Sequence, residues 1–446
     1  MSQTNSYQIE TKEMVKVAAS GWLGTAMEFM DFQLYSLAAA IVFNEIFFPN
    51  TDPSMGLIMA MGTYGAGYVA RLVGAFVFGH IGDKMGRRTV LFVTITLMGL
   101  ASTMIGFLPT YEEVGVLAPI GLVILRIVQG LGAGAEISGA GVMVTEFCEK
   151  KNRGLIASLV CLGTSSGTLC ANLIWTIILT MMDKQEVIAW GWRIPFYASF
   201  VVMIAAILIR LFVKESPVMA AKKKLLEEER EKQLAGDVPV RQEQKKGKKS
   251  FIVALALRFG QAGNSGLMQT YLAGFIVTVL AMQKTVATEA NIISSFVSFL
   301  TIPFVGWLGD KIGRRKMYMI LSLATAIYAI PMMLLFETKD PVILTIAMVI
   351  GLNVGVQGLF ALENVTMAEL FGARHRVTAV SLAKEIAGLV ATGFGPIIAA
   401  AAVTAMMGSW IPLAVMIIVF SLSSFFGAYV SEDTTGRDLN ELDDAM

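Results

Sequence analysis

The heptapeptide Gly82-Asp83-Lys84-Met85-Gly86-Arg87-Arg88 occurs twice in this chain, returning as Gly309-Asp310-Lys311-Ile312-Gly313-Arg314-Arg315. Both copies lie between long apolar stretches, the second about half a chain after the first. A basic loop repeated at that distance between membrane-length helices is expected of a carrier assembled from two related helical bundles. The duplication reaches past the loop. Glu146 and Arg153 recur as Glu369 and Arg376, with the same internal spacing and nearly the same displacement along the chain. No period of roughly 20–50 residues, the sign of a soluble solenoid, is present.

The 446 residues are 55% hydrophobic and 15% charged, against roughly 25% charged in soluble domains. The apolar stretches are each long enough to cross ~30 Å of hydrocarbon as a helix. Twelve spans are expected, near 15–43, 54–79, 89–108, 115–145, 154–182, 190–213, 250–282, 289–309, 317–336, 342–368, 378–405 and 409–430. The chain is therefore expected to be an all-α membrane protein of twelve transmembrane helices in two pseudo-symmetric six-helix bundles. The organisation expected is an N-terminal bundle over 1–213, a cytoplasmic linker over 214–249, a C-terminal bundle over 250–430 and a cytoplasmic tail over 431–446. Within the linker, Lys222 to Arg230 has the ion-pair spacing of a short surface helix, and Gly236 and Pro239 follow it. The first span lacks a small-residue cleavage site and is expected to be retained.

Lysine and arginine set the orientation. Loops on one side carry Lys84, Arg87 and Arg88, then Lys150, Lys151 and Arg153, then the linker, then Lys311 to Lys316, then Arg374 and Arg376. Loops on the other side carry only Lys184, Lys284 and Lys339. The positive-inside rule places the linker and both termini of this multi-pass chain in the cytoplasm. A net charge of +1 gives no footprint for nucleic acid. Cys148, Cys161 and Cys170 have no metal-ligand spacing and read as small packing residues. No metal and no cofactor is expected. Trp22, Trp190, Trp192, Trp307 and Trp410, near span ends, are expected as interfacial anchors.

The loop from Gly79 to Arg88 is similar to the signature of the major facilitator superfamily. More narrowly, the chain resembles the metabolite–proton symporter family of inner-membrane metabolite transport proteins. The pieces that carry the resemblance are Glu28-Phe29-Met30-Asp31-Phe32-Gln33-Leu34-Tyr35, Arg71 before Gly74, Arg126-Ile127-Val128-Gln129-Gly130 through Glu136, Trp190 to Phe196, Lys214-Glu215-Ser216-Pro217, and Gly436-Arg437-Asp438-Leu439. The chain departs from the family with Met30 in place of an aromatic residue, Leu72 in place of proline and Ala135 in place of glycine.

Ionisable side chains inside a membrane are expensive and read by default as functional. Glu28, Asp31 and Tyr35 share one face of the first helix. A proton-coupled carrier needs a carboxyl that is protonated in one state and ionised in the other. Asp31 and Glu28 are the candidates; a helix-locking ion pair is the structural alternative. On the fourth helix Arg126 can pair with Asp31 or hold a substrate carboxylate. The resemblance adds Arg126 and Glu136 to the proton-coupling set. Tyr35 and Gln129 are expected beside the substrate. The seventh helix presents Arg258, Gln261, Asn264 and Gln269 among glycines, which reads as a deformable helix on a cavity. Gln357, Glu363 and Asn364 in the tenth span and Lys384 in the eleventh complete the substrate-binding set, with Glu385 beside Lys384 as a further intramembrane charge. Lys384 can pair with Glu363, bind an anion or snorkel to the membrane edge.

The repeated loops read as a gate made of Gly82, Asp83, Gly86, Arg87 and Arg88 with Gly309, Asp310, Gly313, Arg314 and Arg315. Each aspartate is expected to accept from a neighbouring helix N-terminus and from arginine. Anionic-lipid contact is the other reading of these cations. Together these features imply a secondary active transporter, a monomer in the lipid bilayer, moving a small organic acid with protons by alternating access. Uptake of a zwitterion such as betaine or proline is the second reading, and a non-transporting membrane sensor the third. Nothing in the chain supplies the nucleophile–base pair of an enzyme.

Overall fold

A computed structural model of the chain describes residues 11–49, 53–234 and 247–446. Residues 1–10, 50–52 and 235–246, which include Gly236 and Pro239 of the expected linker, lie outside the described residues. Twelve long helical runs follow one another: α1 Thr11–Phe43, α2 Pro53–Met85, α3 Arg87–Gly106, α4 Leu117–Phe147, α5 Arg153–Met181, α6 Ile194–Leu211, α7 Gly247–Ser265, α8 Lys284–Ile312, α9 Arg314–Glu337, α10 Pro341–Leu370, α11 Arg376–Ala405 and α12 Ile411–Val430. Ten of them are long and apolar enough to cross a membrane by length and composition. The other two, α2 and α7, are helical across the expected spans. Beyond its last described α-helical turn α7 continues through Gly266–Tyr271 into Leu272–Thr278.

Helix α7 does deform where its glycines cluster. Gly266–Tyr271 is a π-helical turn, and α1, α10 and α11 carry others at Ala39–Phe43, Leu352–Gly358 and Leu389–Phe394. Such wide turns free backbone groups and gather at functional positions. The two repeated loops turn on their second glycine. Gly86 has φ +119° and Gly313 φ +101°, a region open to glycine and strained for other residues. That turn ends α2 and starts α3 in one half, and ends α8 and starts α9 in the other.

Close packing inside the first half rests on absent side chains. A Cβ on Gly74, Gly130 or Gly134 would collide with the facing backbone carbonyl of Leu131, Gly67 or Arg71. Helices α2 and α4 therefore touch backbone to backbone, as small residues allow in lipid, where little hydrophobic force joins helices. The halves meet where α5 packs on α8 and α2 on α11. The outer surface exposes Phe76, Leu173, Val201, Phe212, Leu300, Ile327 and Val342, a belt suited to acyl chains and far too apolar for water.

Two expectations need correction. Trp192 is no interfacial anchor: it is fully buried and sits edge-on to Phe43, Phe47 and Phe196. The linker does form a helix, Pro217–Leu234, but Val218, Met219 and Lys222 on its first turns are buried rather than on the surface. Lys222 Nζ donates to the carbonyls of Asp83 (2.7 Å) and Arg374 (2.9 Å), so the linker is clamped against both halves. The tail from 431 on is docked as well. Its Arg437 and Leu439 carbonyls accept from Arg153 and Arg376, and its Met446 N–H donates to Ser250.

Candidate functional site

Along the axis between the halves the buried charges form four groups. The first surrounds Asp31 on α1. Ser102 Oγ and Ser199 Oγ each donate to its carboxylate at 2.6 Å, from α3 and α6. Gln129 Nε2 donates to Ser102 Oγ at 2.6 Å, and Arg126 donates to the Gln129 carbonyl oxygen. Asp31 is thus joined to Arg126 through two neutral groups instead of by a direct ion pair. The Arg126 guanidinium stands 3.9 Å over the ring of Tyr35 and 5.1 Å over that of Phe32, a stacking in which the ring quadrupole holds the cation. Tyr35 also shares a hydrogen bond with Thr63 on α2.

The second group spans the two halves. Arg71 on α2 contacts Glu28 on α1 at 2.7 Å and holds Glu385 on α11 with two nitrogens, at 2.8 and 2.9 Å. Glu136 is not gathered with Arg126. It pairs with Arg210 of α6, accepts from Thr94 at 2.6 Å, and lies against α1 at Gly24, one turn before Glu28.

The third group belongs to the second half. Arg258 and Lys384 converge on Glu363, at 3.1 and 2.9 Å, and Lys384 also donates to Asn364 Oδ1 at 2.9 Å. Lys384 is buried, which removes the snorkelling reading, whereas the Arg258 side chain keeps 18% of its surface open. Gln261 accepts from Arg258 and donates to the Val356 carbonyl. Asn264 turns away to Ser421 on α12, and Gln357 is buried on the π-helical turn of α10. Asn364 also donates to Cys161 Sγ on α5, so it sits on the seam between halves.

The fourth group lies at the basic face. Asp83 accepts from the N–H groups of Val377 (3.1 Å) and Thr378 (2.9 Å) and from Thr378 Oγ1 (2.7 Å), capping α11 of the other half. Asp310 does the converse, accepting from Gly154 (2.8 Å) and Leu155 (2.9 Å) at the start of α5. Both caps satisfy orphan helix donors with an anion placed on the positive dipole end. Behind them, Glu146 takes Arg87 at 3.1 Å and Arg376 at 2.8 Å, while Glu369 takes Arg314 at 3.4 Å and Arg153 at 2.9 Å. The sequence duplication has become a crossed pairing in which each glutamate holds one arginine from its own half and one from the other. Arg88 and Arg315 fasten to carbonyls at the ends of α6 and α12. Glu215 caps the start of α3 through Arg87 N and Arg88 N, and Thr435 does so for α9. With these contacts made, the basic face is closed.

Several of these residues carry weak sequence signals. Ser102, Ser199 and Thr63 are common in apolar helices. Arg71 stood out only through the family resemblance, and Glu385 only as an intramembrane charge. Glu146, Arg153, Glu369 and Arg376 were visible in the repeat and would have been found by treating every repeated charge as part of the gate.

The family model for the Major Facilitator Superfamily matches residues 21–396. The chain belongs to the major facilitator superfamily. It is 52% identical over 422 residues to "Putative transporter YdfJ" of Escherichia coli (strain K12), covering 93% of this chain and 96% of that one. Similarity extends to that organism's Shikimate transporter, 29% identical over 94% of each chain, and to its Proline/betaine transporter, 28% identical over 97% of this chain and 86% of the relative. The proton:xylose symporter XylE bound to 6-bromo-6-deoxy-D-glucose shares the fold, with TM-score 0.79, 17% identity and coverage of 97% and 98%. The transporter is a membrane carrier of small molecules, and not an enzyme.

Proposed function

We propose that this transporter carries a small organic acid together with protons by alternating access, inward across the bacterial inner membrane, with the basic face in the cytoplasm. The observation that carries the reading is Asp31. It is a fully buried carboxyl held by two hydroxyls and linked through Gln129 to a cation, Arg126, that does not neutralise it directly. Such a group can take and release a proton without tearing an ion pair apart, and hydroxyls adapt to either protonation state by turning their O–H. Arg126, Arg258 and Lys384 supply positive charge around the axis, and the partly open Arg258 is the one best placed to meet a substrate carboxylate. The crossed pairs of the basic face are the gate. They are formed here, so this is a state closed toward the proposed cytoplasm, and they must part for release. The similarity to a shikimate carrier favours an acid substrate, and that to a proline/betaine carrier keeps a zwitterion as the second reading.

Uptake into proteoliposomes with an imposed proton gradient tests the proposal, screened over mono-, di- and tricarboxylates, betaine and proline. Accumulation of an acid that collapses with a protonophore is the expected result. Accumulation of betaine or proline alone would establish the second reading, and gradient-independent equilibration of every substrate would refute proton coupling.

A further inference from the structure

We propose that Arg71 is the positioning residue that ties closure of the basic face to the proton occupancy of Glu28; the inference rests on the proton-coupled reading above. Glu28 is 1% exposed. Among the described residues neither of its oxygens accepts a well-formed hydrogen bond, and its polar contact is the off-line approach of Arg71 Nη1 at 2.7 Å. Glu385 has the better share of the same guanidinium, a two-pronged grip at 2.8 and 2.9 Å. The cation also lies close to the rings of Phe32 (5.0 Å) and Tyr68 (5.6 Å), which favour positive charge at that place.

Glu28 and Glu385 belong to different halves, and that makes the sharing conditional. Helices α2 and α11 form one continuous seam. At its rim Asp83 caps Val377 and Thr378; below that a Cβ on Gly79 would press on Thr378. Arg71 to Glu385 lies deeper still, about 18 Å along α2 from Asp83 at 1.5 Å per residue. While the seam is shut, Glu385 takes most of the Arg71 charge and places its own negative charge beside Glu28. A carboxyl so placed is best left neutral. When the seam parts, Glu385 leaves with α11, and Arg71 has Glu28 alone to neutralise. The proton is then lost from the Glu28 carboxyl to water on the newly opened side. The cycle balances: one proton adds to the carboxylate while the basic face is closed and leaves as the same proton once it is open. The other charges facing Glu28 are Asp31 on its own helix and the Glu136–Arg210 pair from α4 and α6. All of these lie within the first half, so none changes partner when α2 and α11 separate.

The test reads conformation without substrate, so it is independent of what is carried. Spin labels at exposed Lys151 and Lys316, on the basic ends of the two halves, report closure of the basic face in full-length protein in nanodiscs, with Cys170→Ser and with Asp31→Asn to silence the second carboxyl. Acidification is expected to raise the closed population in this parent. Glu28→Gln should stay closed-biased throughout the acidic range, and Glu385→Gln should lose the response to acidification while keeping a folded distance distribution. Arg71→Lys, which keeps the charge without the two-pronged grip, should respond weakly. An unchanged pH response in Glu385→Gln, or no pH response in the parent, overturns the proposal. A pH response in this parent, together with proton-independent uptake by the protein that keeps Asp31, would sink the symport reading and leave the Arg71 linkage standing.

Discussion

Replacing Asp83 with alanine is expected to shift the transporter toward the state open at the basic face without emptying its substrate site. In the closed structure Asp83 accepts three hydrogen bonds from the start of α11, two from backbone N–H groups and one from Thr378 Oγ1. Loss of a helix N-cap costs about 0.5–2 kcal/mol, and loss of an anion at a partly buried helix N-terminus adds roughly 0.3–1 kcal/mol. The carboxylate is hydrated when the seam parts, so nearly all of that loss falls on the closed state. A bias of about 2 kcal/mol corresponds to roughly a thirtyfold change in the ratio of open to closed forms. Turnover should fall because the outward-facing stage becomes scarce. No residue of the Asp31 or Glu363 groups is touched, so intrinsic substrate binding should survive. The assay is thiol labelling from each side of oriented vesicles, at single cysteines along the α2–α11 seam, in Asp83→Ala and its parent. Increased labelling from the basic side with retained binding is the expected result. Unchanged labelling together with lost binding would refute the gate argument and place Asp83 in folding or in the substrate site. Asp310→Ala should do less, because Asp310 accepts two backbone donors and no hydroxyl, and the rest of its grip, on Arg314 at 2.8 Å, is within its own half.

Asp31→Asn should abolish gradient-driven accumulation and leave counterflow exchange partly intact, since an amide fits the hydroxyl cradle but carries no exchangeable charge; normal accumulation would remove Asp31 from the mechanism. Neutral replacement of Arg258 should weaken binding of anionic substrates by roughly 10- to 150-fold, the worth of about 1.5–3 kcal/mol for a charged contact, measured by equilibrium binding; unchanged affinity in Arg258, Arg126 and Lys384 variants alike would exclude a carboxylate ligand. Lys384→Met should in addition lower thermal stability, because removing one partner of a buried pair costs about 3–5 kcal/mol; the remaining Arg258 contact to Glu363 should soften that loss. Lys222 gives a pH signature. It borders a cavity of about 360 Å³ shared with His80, Asp83, Lys84, Arg374 and His375. Burial pushes its ammonium down to about 8, with Arg87 and Arg376 acting the same way and Asp83 and Glu146 opposing. Once the seam opens and the side chain is hydrated it returns toward ~10.4. Between those limits the closed form binds fewer protons than the open form, so raising the pH from about 8 to 10 should favour closure. The neutral amine still donates to both carbonyls; spin-label distances should show the trend and lose it in Lys222→Met.

Local chain properties determined much of this molecule. The length of each apolar stretch against the bilayer set the spans, and Gly86 and Gly313 set the turns that end α2 and α8, because each depends on a few consecutive residues. The duplication announced itself through Asp83, Asp310 and the Glu–Arg pairs at the α4–α5 and α10–α11 junctions. Asp31 and Glu28 could be singled out because a carboxyl in hydrocarbon is conspicuous wherever it falls. Partner choice was beyond sequence reading. That Glu136 pairs with Arg210, that Glu363 collects Arg258 besides the Lys384 named for it, and that Asp31 rests on two serines follow from which helix faces are brought together. The same holds for Arg71, whose decisive partner Glu385 lies in the other half of the chain. Trp192 had the position of an interfacial anchor and the surroundings of a core residue, since three phenylalanines close over it. Serines and glycines carry no such signal in an apolar helix, yet they cradle the acid and let α2 lie on α4. Sequence decides which groups must find a partner inside a membrane; only the packed bundle decides which partner each one reaches, because that choice is made by distances across helices and not along them.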